Sequence, residues 1–300
     1  MSEYYDPETY PKQWNYLQTG TIVDDYIIER ELAHGGFSSV YLARQRITQV
    51  QVALKEYLPR KLAHRTWNND IVANSEESKK LIAHGRTLFI EEAKVLAKLK
   101  HPNIVEVVNF FQANSTVYLV MVYGYGITLD KLLKNKKIKI NEQWLLKVFG
   151  ALLTGVDLIH QQNILHLDIK PANLLIRPGT DVMLLDFGAI QPFPKTKAKN
   201  KAYILTKGFS PTEQYSAGGV LGPYSDIYAI GASMRSCLDS EVPPQAPDRV
   251  GNSDFPLAQK VHAKKFNSRL LEIIDWAMEV EPGARPQTVK ELKDALASVQ

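Results

Sequence analysis

The apolar pattern of this 300-residue chain changes at Tyr123-Gly124-Tyr125-Gly126 from mostly strand-like runs to helical stripes, and that change bounds what the chain can fold into. Before it, runs rich in β-branched and aromatic residues read as strands: Tyr26-Ile27-Ile28, Val40-Tyr41-Leu42-Ala43 and Val50-Gln51-Val52-Ala53-Leu54. A glycine-containing turn and a polar turn separate them, so they form an antiparallel meander. Phe89, Ala93, Leu96 and Lys100 then keep helical spacing until His101-Pro102-Asn103 stops the helix. Two more strand-like runs follow, Ile104 to Phe111 and Val117 to Tyr123. After Gly126, Leu145, Val148, Phe149, Leu152, Val156 and Ile159 make one long helical stripe. Asp226 to Leu238 is apolar on most sides, as a buried central helix is, while Leu270 to Met278 and Val289 to Leu296 are amphipathic. The last of these opens with Thr288 and Glu291 in capping-box spacing. The expectation is an α+β chain: a smaller half with a five-stranded antiparallel sheet and one main helix, then a mainly α-helical half.

With 45% hydrophobic residues the chain can bury a large core, and the absence of any repeat of about 20 to 50 residues excludes a solenoid or propeller. No apolar run reaches the roughly eighteen residues of a membrane span, and the first residues lack the basic and apolar regions of a signal peptide, so a cytoplasmic chain without a membrane segment is expected. The lone Cys237 excludes an intrachain disulfide and reads as a packing residue. A net charge of +4, spread evenly, gives no reason to expect a nucleic acid partner. Residues 1–20 are polar with scattered aromatics, Tyr4, Tyr5, Tyr10, Trp14 and Tyr16, and read as an N-terminal extension.

The chemistry concentrates in His166-Leu167-Asp168-Ile169-Lys170-Pro171-Ala172-Asn173, followed by the strand Val182-Met183-Leu184-Leu185 and then Asp186-Phe187-Gly188. An Asp, a Lys two residues on, an Asn five residues on and a second Asp supply a base, a cation and two metal-binding groups, the set phosphoryl transfer needs. Upstream stand Leu32-Ala33-His34-Gly35-Gly36-Phe37-Ser38-Ser39-Val40, Val52-Ala53-Leu54-Lys55 and Phe89-Ile90-Glu91-Glu92-Ala93. Taken in order, these landmarks resemble the eukaryotic-type (Hanks-type) serine/threonine protein kinases over roughly residues 21 to 298. An insertion between Lys55 and the helix, read as surface elaboration with a short helix near Glu76 to Ala83, points to the bacterial branch, as do Pro211-Thr212-Glu213-Gln214-Tyr215 and Gly222-Pro223-Tyr224-Ser225.

The resemblance implies a two-lobed kinase fold, N-lobe about 21–123 and C-lobe about 124–298, binding ATP with Mg²⁺, or Mn²⁺ in its place, and acting on protein Ser/Thr hydroxyls. It implies that Ala33, His34, Gly35, Gly36 and Ser38 approach the phosphates, and that Lys55 binds the α- and β-phosphates. Lys55 pairs with Glu92, or with Glu91 as the alternative. Val40, Ala53, Met121 and Leu175 border the adenine, and the backbone of Val122 and Gly124 bonds it. Asp168 is then the base, Lys170 the γ-phosphoryl cation, and Asn173 with Asp186 the metal ligands. His166 is expected to pack beneath Phe187, Glu213 to pair with Arg285, and Asp226 to cap the backbone of the catalytic loop.

Three departures matter: Ala33 and Ser38 replace glycines of the family pattern, Thr128 stands where many relatives place a ribose-binding acid, and Leu167 replaces the Arg that pairs with a phosphorylated activation loop. Activity is therefore expected not to need phosphorylation at Thr196, Tyr203 or Thr206, the last of which is expected to bond Asp168 and Lys170. The lysine-rich run Lys195 to Lys201 is read as a mobile loop. Two competing readings are a pseudokinase acting as a nucleotide-binding scaffold and a small-molecule phosphotransferase, the second disfavoured by the Pro-Thr-Glu segment and Arg285.

Overall fold

The structure, a computed structural model, describes residues 16–135, 138–193, 205–216, 218–251 and 255–299. Tyr4, Tyr5, Tyr10, Trp14, the run Lys195 to Lys201 and Tyr203 lie outside the described residues. The chain divides into two compact units, Met1–Lys100 with Glu106–Tyr123, and His101–Val105 with Gly124–Gln300.

The first unit is built on β1 (Ile22–Val23), β2 (Tyr26–His34), β3 (Ser38–Gln45) and β4 (Gln51–Tyr57), then a hairpin of β5 (Ala63–Arg65) and β6 (Ile71–Ala73), helix α1 (Glu76–Leu96), and β7 (Val107–Ala113) with β8 (Thr116–Val122). Its main sheet has six antiparallel strands in the order β1-β2-β3-β4-β8-β7, one more than expected, because Ile22-Val23 folds back on Tyr26-Ile27. One sheet face packs a core of Val23, Tyr26, Ile28, Tyr41, Leu54, Tyr118 and Val120, which Leu17 from the expected extension joins. Ile104 and Val105, read as the start of a strand, belong instead to the second unit, where Ile104 bridges Leu184 and the Val105 N–H donates to its carbonyl.

The expected short helix near Glu76 and the later helix are one continuous α1. Ser75 caps it by accepting from the Ser78 N–H, and Glu76 and Glu77 complement the positive helix end. Ile82, Phe89, Glu92, Ala93 and Leu96 form its buried face. Gly85 lowers helix propensity in the middle, yet a Cβ there would lie 1.9 Å from the Tyr57 hydroxyl. A Cβ at this position would force Tyr57 to shift, which accounts for a glycine inside the helix. Helix α1 ends at Leu96, short of His101-Pro102-Asn103.

The insertion is not mere surface elaboration. Arg65 of β5 reaches into the unit and pairs with Glu56 of β4, both side chains almost wholly buried. The Tyr41 hydroxyl donates to the same carboxylate at 3.1 Å, and the Tyr118 hydroxyl donates to its second oxygen. Burial, reinforced by the Glu56 charge, pushes both phenols well above their usual range, so they stay protonated donors. Burial alone would lower the Arg65 value, but the carboxylate more than offsets this.

In the second unit come β9 (Ile127–Thr128), α2 (Leu129–Lys134), α3 (Glu142–Gln161) and β10 (Ile164–Leu165), then β11 (Leu174–Arg177), β12 (Asp181–Leu184) and β13 (Gln191–Pro192). Helices α4 (Thr212–Tyr215), α5 (Pro223–Asp239), α6 (Ala258–His262), α7 (Ser268–Ala277) and α8 (Val289–Ala297) follow. The stripe on α3 is fully buried, and α5 is buried on nearly every side. Small sheets β12-β11-β9 and β10-β13 flank the loop that carries Asp168. Thr288 caps α8 by accepting from the Glu291 N–H, while Glu291 accepts from the Gln287 N–H. No helix among the described residues is long and apolar enough to cross a membrane.

Removing Arg65 leaves the buried Glu56 without a countercharge among the described residues, held only by the hydroxyls of Tyr41 and Tyr118. Arg65→Ala is expected to cost on the order of 3–5 kcal/mol in equilibrium urea unfolding. A loss within about 0.5 kcal/mol, as at ordinary surface sites, would show that the hairpin is dispensable to the unit.

Candidate active site

In the first unit, sheet register does the placing. Val40 pairs Lys55, Ala53 pairs Met121 and Lys55 pairs Leu119, so Val40, Ala53, Lys55 and Met121 share one face, and Glu56 points to the other. Lys55 Nζ lies 2.9 Å from Glu92 Oε1 and 5.3 Å from the centroid of the Phe89 ring. Lysine and glutamate are 5% and 7% exposed, so the pair is desolvated and its geometry tightly held. The alternative, Glu91, is exposed, because one residue turns the helix by about 100°. Strands β2 and β3 are joined by the Gly35-Gly36 turn, with Ala33 opposite Val40 and His34 opposite Ser39, and the Gly35 N–H donates to the Ser38 carbonyl at 2.8 Å. A Cβ at Gly35 or Gly36 would meet nothing within 4 Å, so both backbones are open to approach. Val122 donates its N–H to the Glu106 carbonyl at 2.9 Å.

In the second unit, a Cβ at Gly124 would meet the tips of the Met183 and Leu175 side chains at 2.5 and 2.7 Å, so a larger residue there would require those side chains to shift. Leu175 of β11 pairs with Met183 and with Thr128, whose buried hydroxyl has no hydrogen-bond partner among the described residues.

The loop before β11 carries Asp168, Lys170 and Asn173. Lys170 Nζ lies 2.8 Å from each oxygen of the Asp168 carboxylate, and the Thr206 hydroxyl donates to Asp168 Oδ1 at 2.7 Å. Lys170 Nζ also reaches Thr206 Oγ1 at 3.1 Å. Asn173 Nδ2 donates to the Asp168 carbonyl at 2.8 Å and to Oδ2 at 3.0 Å, which turns the amide oxygen Oδ1 outward. The Asn173 carbonyl accepts from the Leu185 N–H at 2.8 Å, tying the loop to the residue before Asp186. Asp186 is exposed at φ 53, with Gly188 donating to its Oδ1, while Phe187 is buried with its ring 4.7 Å from that of His166. Burial pulls the His166 imidazole below its usual value although Asp226, Asp168 and Asp186 all act the other way, so this ring is a neutral packing group.

Beneath the loop, Asp226 at the start of α5 accepts from the His166 N–H at 2.9 Å and the Leu167 N–H at 2.7 Å, and His160 Nε2 donates to it at 2.8 Å. Leu167 adopts φ 62, and the Gln214 amide donates to its carbonyl at 3.1 Å. The side chain at this position is buried. Glu213 and Arg285 form a bidentate pair at 2.8 and 3.2 Å, joined by Ser225 and stacked near Tyr228. Sequence reading missed His160 and Gln214, because neither stands in a motif whose spacing names its partner.

No group of three His, Cys, Asp or Glu poised for a metal occurs among the described residues. The Asp186 carboxylate and the Asn173 amide oxygen are hard donors, which suit a divalent cation that keeps water or phosphate oxygens as its remaining ligands.

The sequence profile of the protein kinase domain matches residues 26–296. Serine/threonine-protein kinase D of Synechocystis sp. is 29% identical over 291 residues, covering 93% of this chain and 53% of that protein. A probable serine/threonine-protein kinase, PknB, of Lactococcus lactis is 25% identical over 290 residues, covering 95% of this chain and 42% of its own. The chain therefore spans about half the length of these curated relatives. The solved structure of PpkA-294 in its apo form superposes with a TM-score of 0.83 at 30% identity, covering 94% of this chain and 99% of that one.

Burial alone would raise the Asp226 value, but the His160 and backbone hydrogen bonds outweigh it and hold the carboxyl below its usual range. A depressed carboxylate contributes stability that is complete above about pH 4 and lost as pH falls through the lower folded value. The difference in Tm between wild type and Asp226→Asn is therefore expected to shrink below about pH 4. A difference independent of pH would show that the charge is not what holds the loop.

Proposed function

We propose, on the premise that the chain belongs to the protein kinase family, in its serine/threonine branch, that it transfers the γ-phosphoryl of Mg-ATP to Ser or Thr hydroxyls of a protein substrate. The kinase domain is taken as residues 21–298, with residues 1–20 an extension. The family uses ATP with a divalent metal and acts on protein substrates. The observation that carries the proposal is the Asp168 carboxylate, buried at the base of its loop and held by Lys170, Thr206 and Asn173 at 2.7 to 3.0 Å.

A carboxylate so fixed orients the acceptor hydroxyl and takes its proton as the oxygen bonds phosphorus and the bond to ADP breaks. Lys170, already beside Asp168, answers the charge that develops on the transferred group. Lys55 binds the α- and β-phosphates, held extended by Glu92. Gly35 and Gly36, with Ala33, His34 and Ser38, give backbone access to the phosphates. Val40, Ala53, Met121 and Leu175 wall the adenine, with the Val122 carbonyl and the Gly124 backbone as its hydrogen-bond partners. Asn173 Oδ1 and Asp186 hold the metal, which when bound supplies charge neutralisation at the phosphates; Mg²⁺ suits these oxygen donors, and Mn²⁺ takes the same ones.

Lys170-Pro171 after the base favours Ser/Thr over Tyr acceptors. Leu167 offers no cation for a phosphorylated activation loop, and its carbonyl and N–H are committed to Gln214 and Asp226, so activity does not depend on loop phosphorylation. ATP as co-substrate places the domain on the cytoplasmic side, and the small net charge favours a protein over a nucleic acid acceptor. The scaffold reading is disfavoured, since Lys55, Glu92, Asp168, Asn173 and Asp186 are all present.

Asp168→Asn is expected to lower labelled phosphate transfer from Mg-ATP, to the protein itself and to a generic basic protein, by roughly 10²–10⁴-fold. Chelation with EDTA should abolish it. Equal signals from the variant and the wild type would leave only the scaffold role.

A further inference from the structure

The segment after β4 acts on the glycine-rich turn through hydrogen bonds that its sequence does not announce. Three successive carbonyl oxygens of the turn are held by donors from one short stretch. Gly35 O accepts from Arg60 Nε at 3.0 Å, Gly36 O from the Arg60 N–H at 3.0 Å, and Phe37 O from the Leu58 N–H at 2.8 Å. In a planar trans peptide the carbonyl and the following N–H point in opposite directions. Pinning the Gly35 and Gly36 carbonyls toward residues 58–60 therefore turns the N–H groups of Gly36 and Phe37 to the far side. Neither N–H has a hydrogen-bond partner among the described residues. Two adjacent N–H groups free on the same side are the kind of donors an anion takes.

The strap is braced in turn. An Arg60 terminal nitrogen donates to Ser39 Oγ at 2.6 Å, and the guanidinium carbon lies 4.7 Å from the centroid of the Tyr16 ring, which stands 5.3 Å from the His34 ring. A Gly-Gly turn left alone samples many conformations, and ordering it on binding costs entropy. Arginine suits this task because its planar fork serves the carbonyl and the hydroxyl at once while its face lies on an aromatic ring.

We propose that Arg60 is a positioning residue for phosphate binding: it holds the glycine-rich turn with its N–H groups aimed at the nucleotide phosphates, doing by a strap what the absent glycines at Ala33 and Ser38 do not. This rests on the nucleotide site assigned above. The test measures calorimetric binding of Mg-ATP, Mg-ADP and adenosine to the full chain, with KM and kcat, for wild type, Arg60→Ala and Arg60→Lys. Arg60→Ala is expected to weaken ATP and ADP by roughly tenfold and to raise KM for ATP in proportion, with adenosine affinity and kcat changed by less than about twofold. Arg60→Lys recovers part of the loss, since its single ammonium reaches one of the two acceptors. Should Arg60→Ala not fold, Arg60→Lys and Tyr16→Ala carry the same phosphate-dependent signature in weaker form. Unchanged ATP affinity, or an equal loss for adenosine, overturns the proposal. The ratio is read from binding, so it decides the role of Arg60 even where wild type transfers no phosphate, a result that removes the proposed function alone. Wild type that binds no nucleotide overturns both.

Discussion

Asp226, wholly buried at the start of α5, spends both carboxylate oxygens on the main chain of the loop that carries Asp168, and His160 supplies a third donor. The two N–H groups it accepts belong to a stretch that is neither helix nor strand, where no regular ladder satisfies them. Left unpaired inside the protein they would cost more than the desolvation of the acid. That cap also lets Leu167 hold φ 62, a conformation costing a leucine on the order of 1–3 kcal/mol, which survives because Asp226 and Gln214 fix the residue from both sides. The next residue is Asp168. The direction of its carboxylate is thus inherited from a backbone geometry set by a side chain 58 positions further on, counted from 168 to 226.

The smaller unit solves its placing problem with alternation. Consecutive residues on a strand face opposite ways, and β4 uses this to bury Lys55 on one face and Glu56 on the other. Lys55 meets Glu92 of α1, while Glu56 meets Arg65, Tyr41 and Tyr118. Buried pairs of this kind contribute little net stability against an apolar core, but each penalises displacement of either partner severely. The strand is held by charge from above and below, and the hairpin that supplies Arg65 leads directly into the helix that supplies Glu92. Position, rather than strength, is what these pairs provide.

Which of these features showed in the sequence follows from how far apart the partners are and whether their pairing leaves a pattern. Asp168, Lys170 and Asn173 lie within six residues, so the turn that joins them can be read directly. Glu92 was preferred to Glu91 by its spacing from Leu96 and Leu99, because the two glutamates differ by about 100° around the helix and only one can face Lys55. The continuity of α1 was hidden at Gly85, where glycine lowers helix propensity although the close approach of Tyr57 leaves no room for a Cβ. The sixth strand escaped notice because two residues carry no period. Arg65 looked like a surface arginine, since nothing local shows that its partner is a buried glutamate on another strand. The contacts of Arg60 were harder still to see, because most of their acceptors are backbone carbonyls, which every residue has.

The order of most elements, the helical stripes and the grouping of polar side chains along the chain were legible in the sequence alone, because periodicity and short-range spacing are local properties of the chain. Tertiary structure decided which buried charges find each other, which glycines lie tight against a neighbouring side chain and which main-chain groups have no partner among the described residues. Those outcomes depend on distances between residues far apart along the polypeptide and on the cost of leaving a desolvated polar group unpaired, and neither quantity is written in any stretch of sequence short enough to read by itself.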